Sequence, residues 1–505
     1  MFLRKSIIPF FVFVTGACVL IVEITAIRIL SPYFGNTIFT VSSVISVVLA
    51  ALSAGYYAGG KLADKYPTEK LFFGIIAASG AAVIFLHLTG ILFLSNFGYK
   101  ISIIDGPIIS SLLLFFLQSF LLGTLSPFAI KLQKMRAEEM GVGSVSGQIF
   151  FWSTFGSIVG SLAAGFYLIP NFGIDKIILG VGFLLIILGL FGNFKMPVGF
   201  KLFIIITLFL PVLFLVNFFE ANAENVIYQQ DSLYQKVVVH EGVYAGRPTR
   251  FLLQDRNTSA AMFLDSEELV YPYTKYYALY QLFNPDPKEI LAIGGGAYSV
   301  PKAVLADLPN ANVDVAEIDP LIFELGKMYF NVPDDFRLHN FAQDGRRFLH
   351  DTSKKYDFIF SDAYASFYST PEHLTTQEFF TLAKNKLSDG GVFIANVVGS
   401  LGEKPQSFAF SEMKTFKSVF ENSYFFAVNS ADSLHIQNLI FVGYNGNNII
   451  DFNSAQITKS KNPIIAGLPE KIIDTKNINL SQYPILTDNF APVDYLISRE
   501  FQNIY

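Results

Sequence analysis

Seven apolar runs, at residues 7–30, 39–63, 71–94, 108–132, 148–170, 177–194 and 202–219, dominate the first 220 residues. Each approaches or exceeds the roughly 20 residues that a helix needs to cross a bilayer. Backbone polar groups find no water in the hydrocarbon, so such runs are expected to be helices that satisfy their own hydrogen bonds. The composition agrees, at 52% hydrophobic and 15% charged residues. Arg4 and Lys5 before the first run give it the look of a signal peptide, but the run is too long and more follow, so it is expected to stay attached. Lys and Arg alternate between the two sides of successive runs. Arg4, Lys5, Lys61, Lys65, Lys70, Lys131, Lys134, Arg136, Lys195 and Lys201 fall on one side and Arg28, Lys100 and Lys176 on the other. The positive-inside rule then makes this a multi-pass protein of the cell membrane with a cytoplasmic N-terminus. Glu23 and Arg28 stand within or beside the first run, where an ionisable group is expensive unless paired or turned to a polar cavity. Gly55, Gly59 and Gly60, and again Gly156, Gly160 and Gly165, have the spacing of tightly packed helices.

Past residue 220 the texture changes. That part carries 23 Lys and Arg against 33 Asp and Glu, which argues against nucleic acid as a partner. The single cysteine, Cys18, allows neither an internal disulfide nor a cysteine-rich metal site. Three divisions are expected: a transmembrane helical domain at 1–220, a small β-strand subdomain at 221–275 and an α/β domain at 276–505. In the second, Lys236-Val-Val-Val-His240 and Arg250-Phe-Leu-Leu-Gln254 flank a turn around Gly246, as short antiparallel strands do. In the third, strands at 289–293, 313–318, 356–360, 391–397, 424–428 and 438–444 alternate with helices at 300–308 and 321–330. Such alternation predicts a mostly parallel, Rossmann-like sheet that binds ligands at the carboxyl ends of its strands.

Chemistry-bearing residues fall at those ends. Gly294-Gly295-Gly296 follows the first α/β strand, where the lack of Cβ atoms permits a sharp turn close to a ligand. Glu317 ends the next strand about 20 residues on, the spacing at which an acid takes the two hydroxyls of a ribose. Basic residues are missing from the glycine run, so a bare nucleoside fits better than a pyrophosphate. Asp344-Gly345 precedes a helix, either as a plain N-cap or as an acceptor for an adenine amino group. Asp362 follows the strand Tyr356-Asp-Phe-Ile-Phe360, and its carboxylate can point into the same crevice.

Together these residues resemble the polyamine aminopropyltransferases, the spermidine and spermine synthases, which use the AdoMet-dependent methyltransferase fold. The similarity covers about 226–444. Val22-Glu23-Ile24, Gly55-Tyr-Tyr-Ala-Gly-Gly60 and Leu486-Thr-Asp-Asn-Phe-Ala-Pro-Val-Asp-Tyr495 are similar to the membrane-fused bacterial members. The resemblance implies that Gln235, in Ser232-Leu-Tyr-Gln235, contacts the nucleoside, that Tyr271 helps hold the amine acceptor and that Asp362 is the proton acceptor. It also implies Glu317 for the ribose and Asp344-Gly345 for the adenine. The implied reaction is transfer of an aminopropyl group from decarboxylated AdoMet to a putrescine-like amine in polyamine biosynthesis. It needs no metal and is compatible with a homodimer. Four positions depart from the family: Ala297 where an aspartate holds the aminopropyl ammonium, Pro272 after the tyrosine, Ala365 in place of a second acid and Ser369 in place of a proline. Those losses keep two alternatives open, a methyltransferase using AdoMet itself and a nucleoside-binding sensor or transporter with a non-catalytic synthase-like domain. Seven crossings would also put the α/β domain outside the cell, away from a cytosolic nucleoside.

Overall fold

The computed structural model describes residues 7–192, 197–199, 201, 225–255, 257–363, 370–402 and 405–501. Contacts divide the chain into two units, one of residues 1–224 with 230–235 and the other of residues 225–229 with 236–505.

Among the described residues, six helices in the first unit are long and apolar enough to cross a membrane. They are α1 (Ile7–Phe34), α2 (Ile38–Lys65), α3 (Glu69–Phe97), α4 (Gly106–Arg136), α5 (Val142–Ala163, continued through a π turn to Phe172) and α6 (Ile174–Gly192). The seventh apolar run, 202–219, lies outside the described residues. Four of the six glycines read as packing residues stand at helix crossings. A Cβ on Gly55 or Gly59 would come within 2.5 Å of α4 backbone atoms, and one on Gly156 or Gly160 within 2.3 Å of α1 carbonyl oxygens. Gly60 and Gly165 make no such approach, so their side of the helix needs no small residue. The Gln230–Gln235 turn clusters with this unit. Arg28 of α1 donates to the carbonyls of Ser232 (3.0 Å), Leu233 (3.4 Å) and Tyr234, and Asp231 Oδ2 accepts from the amide of Ile174 at 3.0 Å.

The second unit holds two sheets. The smaller is an antiparallel meander of β1 (Val226–Asp231), β2 (Lys236–Tyr244), β3 (Arg247–Gln254) and β4 (Asn257–Phe263). The larger is built from β5 (Glu289–Ile293), β6 (Asn312–Glu317), β7 (Leu338–Ala342), β8 (Tyr356–Ser361), β9 (Leu387–Gly399), β10 (Asn422–Ala427) and β11 (Gln437–Tyr444). Its spatial order is β10-β11-β9-β8-β5-β6-β7, with β5 to β9 parallel and β11 antiparallel to both neighbours. Helices α7 (Ser299–Asp307), α8 (Pro320–Tyr329), α9 (Gly345–Asp351), α10 (Gln377–Asn385) and α11 (Phe408–Val419) connect the strands, and α12 (Val493–Phe501) follows them. Strands β5, β6 and β8 are almost wholly buried, as expected of a parallel sheet covered on both faces. Their core includes Ile290, Ala292, Val313, Val315, Phe358 and Phe360. Chain direction across the sheet reverses between β5 and β8, and at such a switch point the loops diverge and open a crevice.

Candidate active site

Sheet register sets the site. Ile293 of β5 is level with Ala316 of β6 and Ser361 of β8, and Ser361 is level with Ala395 of β9. The next residue on each strand is therefore Gly294, Glu317, Asp362 and Asn396, one row along the carboxyl edge of the sheet.

Gly294 has φ +90°, a left-handed conformation, and a Cβ there would lie 2.3 Å from the carbonyl oxygen of Asp362. Only glycine allows the loop to cross so close to β8. Glu317 ties this loop to β6: its Oε2 accepts from the Gly295 amide at 2.7 Å and its Oε1 from the Asp319 amide at 2.9 Å. Burial pushes its carboxyl above the usual range, against the pull of those amide bonds. The Gly296 amide bonds the same carboxylate, so of its roughly four lone-pair directions about one is left for a further donor such as a ribose hydroxyl.

Asp344 caps α9, with Oδ1 accepting from the Arg347 amide at 2.9 Å, and Oδ2 meets His373 Nε2 at 2.8 Å. Burial works to raise its pKa, but the bonds from His373 and the helix amides outweigh it and hold the carboxyl below the ordinary value. Gly345 lies against β5, since a Cβ there would fall 2.2 Å from Ile293 Cγ2. Next to it, Arg346 forms a two-pronged ion pair with Asp488, at 2.7 and 2.5 Å, and Thr376 Oγ1 also donates to Asp488 at 2.8 Å. The Leu486–Tyr495 motif is thereby fastened to the start of α9.

Asp362 accepts from Asn396 Nδ2 at 2.8 Å and from the Tyr273 hydroxyl. Asn396 Oδ1 in turn accepts from Asn438 Nδ2 at 2.9 Å. Burial raises the pKa of Asp362, and the two donated bonds oppose the rise. Such a carboxylate is fixed in place and more basic than a solvated one, which suits proton acceptance.

Gly294, Gly295, Gly296, Glu317, Asp344, Gly345 and Asp362 thus gather on the carboxyl side of the second unit's large sheet. Tyr271 sits beside Tyr273, ring on ring at 6.2 Å, and edge-on to Tyr244, within a small cluster that includes Phe263 and Val270. The hydroxyl that reaches Asp362 belongs to Tyr273. Gln235 is buried and closes the Ser232–Gln235 turn of the first unit. Ala297 is 1% exposed, so its surroundings leave little room for a carboxylate. Ala365 and Ser369 lie outside the described residues. Sequence reading missed Tyr273, Asn396 and Asn438. Register with Ser361 could have found Asn396, but nothing in the Tyr271-Pro272-Tyr273 run says which ring turns inward.

A parallel sheet whose order reverses at β5, with a glycine turn after that strand and an acid at the end of the next, has the Rossmann-like architecture in which ligands bind at the carboxyl ends of the strands. The spermine/spermidine synthase domain matches residues 277–448. The polyamine aminopropyltransferase of Vibrio vulnificus is 31% identical over 229 residues, covering 44% of this chain and 75% of that protein. Polyamine aminopropyltransferase 2 of Aquifex aeolicus is 23% identical over 434 residues, 80% of this chain and 81% of its own. A probable spermidine synthase from Corynebacterium glutamicum aligns over 53% of this chain and 97% of its own, with 19% identity and a TM-score of 0.44. The chain belongs to the polyamine aminopropyltransferase (spermidine synthase) family and is a transferase.

Proposed function

We propose that the chain is a membrane-anchored aminopropyltransferase that moves an aminopropyl group from decarboxylated AdoMet to an amine. The carrying observation is Asp362, aligned with Glu317 and the glycine turn and held by Tyr273 and Asn396. In this reading Glu317 takes the ribose hydroxyls, and Asp344 and Gly345 border the adenine. The nitrogen lone pair of the acceptor attacks the carbon beside the sulfonium. An N–C bond forms as the C–S bond breaks, its electron pair neutralises the sulfur to a thioether, and the ammonium proton passes to Asp362. No metal enters this scheme. The six apolar helices support a bilayer as the anchor.

Ala297 favours a second reading, a methyltransferase using AdoMet, because the family's ammonium-holding aspartate is missing there. Calorimetry of the detergent-solubilised chain with decarboxylated AdoMet, AdoMet and methylthioadenosine separates the two. Decarboxylated AdoMet and methylthioadenosine are expected to bind more tightly than AdoMet, and Glu317→Ala is expected to weaken both by at least about tenfold, as befits bonds to a charged acceptor. Tighter binding of AdoMet, with methyl transfer, would replace the aminopropyl reading.

A further inference from the structure

His373 stands in the short turn Glu372–Leu374, on the connection from Asp362 to α10. Both its ring and its carbonyl are engaged. Its Nε2 meets Asp344 Oδ2 at 2.8 Å, and its carbonyl accepts from Arg346 Nη1 at 3.1 Å. Arg346 is held in turn by its two-pronged pair with Asp488, whose amide donates to Glu378 Oε2 at 3.0 Å. One chain of bonds therefore runs from the Leu486–Tyr495 motif through Arg346 and His373 to the carboxyl of Asp344. Both ion pairs in it are partly exposed. Pairs this open add little to stability, so what they supply is geometry more than energy.

The geometry acts on Asp344. The Arg347 amide holds Oδ1 at 2.9 Å as a helix cap, and the Arg346 amide also bonds this carboxyl. Rotation about the Cβ–Cγ bond would still carry the second oxygen away, and His373 opposes that rotation. An ionised carboxylate has about four lone-pair directions, so three donors leave about one. That one suits a single N–H, such as a hydrogen of an adenine amino group. A base with a carbonyl oxygen at the same place would set lone pair against lone pair, and the rotation that could relieve the clash is the one His373 resists.

We propose that His373, held through Arg346 by Asp488, is a positioning residue that turns Asp344 toward a 6-amino purine and against a 6-oxo purine. The inference rests on the nucleoside reading of the site and gives the Leu486–Tyr495 motif a part in choosing the donor.

Calorimetry of the full chain in detergent tests it by comparing 5′-methylthioadenosine with 5′-methylthioinosine, which carries a 6-oxo group instead of the amine. The parent is expected to bind the first about tenfold or more tightly, the range of a hydrogen bond to a charged acceptor. His373→Ala should cut that ratio by about threefold or more, the cost of ordering a freed side chain again. His373→Gln, whose amide can return an N–H, should restore part of it, and Asp488→Ala should lower it in the same direction. General loss of packing would weaken both nucleosides alike and leave the ratio where it was. A ratio unmoved in His373→Ala and Asp488→Ala, in variants that melt as the parent does, overturns the positioning role while nucleoside binding stands, and so does a parent that binds both nucleosides equally. A ratio that moves in His373→Ala alone overturns the part given to Asp488. Binding of neither nucleoside by the parent overturns the nucleoside reading as well.

Discussion

At Asp362 the proposed chemistry depends on one proton. Asp362→Asn is nearly isosteric and should keep donor affinity while turnover falls by about 10² to 10⁴, the usual contribution of a positioned base. The loss should shrink as the pH approaches the pKa of the amine, because the acceptor then arrives deprotonated. The sign on the acid side follows from burial, which raises the Asp362 pKa. The parent should therefore lose activity, as pH falls, sooner than an ordinary aspartate near 3.9 would dictate. Initial rates of parent and variant across pH check both limbs, and equal rates throughout would make Asp362 structural only. Glu317, Asp344 and Asp362 were readable because each stands just after a strand or before a helix, where sequence spacing alone fixes position. Tyr273 and Asn438 were not, because each acts through a contact that only the folded chain creates.

Among the elements, β5, β6 and β8 were legible as continuous apolar runs bounded by turn residues. β7 was not. Its sequence, Leu338-His-Asn-Phe-Ala342, is half polar because it is an edge strand paired only with β6, and exposed positions carry no hydrophobic signal. The Asp344-Gly345 pair was read as a cap or a ligand contact, and the structure adds a packing reason for the glycine. Gly345→Ala would drive a Cβ to 2.2 Å from Ile293 Cγ2, forcing α9 away from β5. Overpacking of this kind costs about 1–3 kcal/mol. Adding Ile293→Ala removes the clashing methyl and should recover part of the loss, a coupling that thermal or denaturant melts of the two single variants and the double variant measure. Strict additivity would mean that α9 meets β5 elsewhere.

On the scale of the whole molecule, the open question is which side of the membrane carries the chemistry. Six crossings would return the chain to the side from which it started, and the positive-inside rule agrees in assigning Arg4 and Lys5 to the same side as Lys195 and Lys201. Residues 202–219 lie outside the described residues, and hydropathy alone would count them as a seventh crossing that carries everything after them outward. The proposed chemistry weighs the other way, because a sulfonium nucleoside is a charged cytosolic molecule with no passive route through lipid. We therefore expect reporters fused before Met1 and after Tyr505 both to read cytoplasmic. Deleting 202–219 should leave the second reporter unchanged, since a net crossing by that segment would make the deletion invert it. An outward reading after Tyr505, inverted by the deletion, would establish seven crossings. It would also require either a donor supplied from outside the cell or a transferase domain that no longer meets its nucleoside.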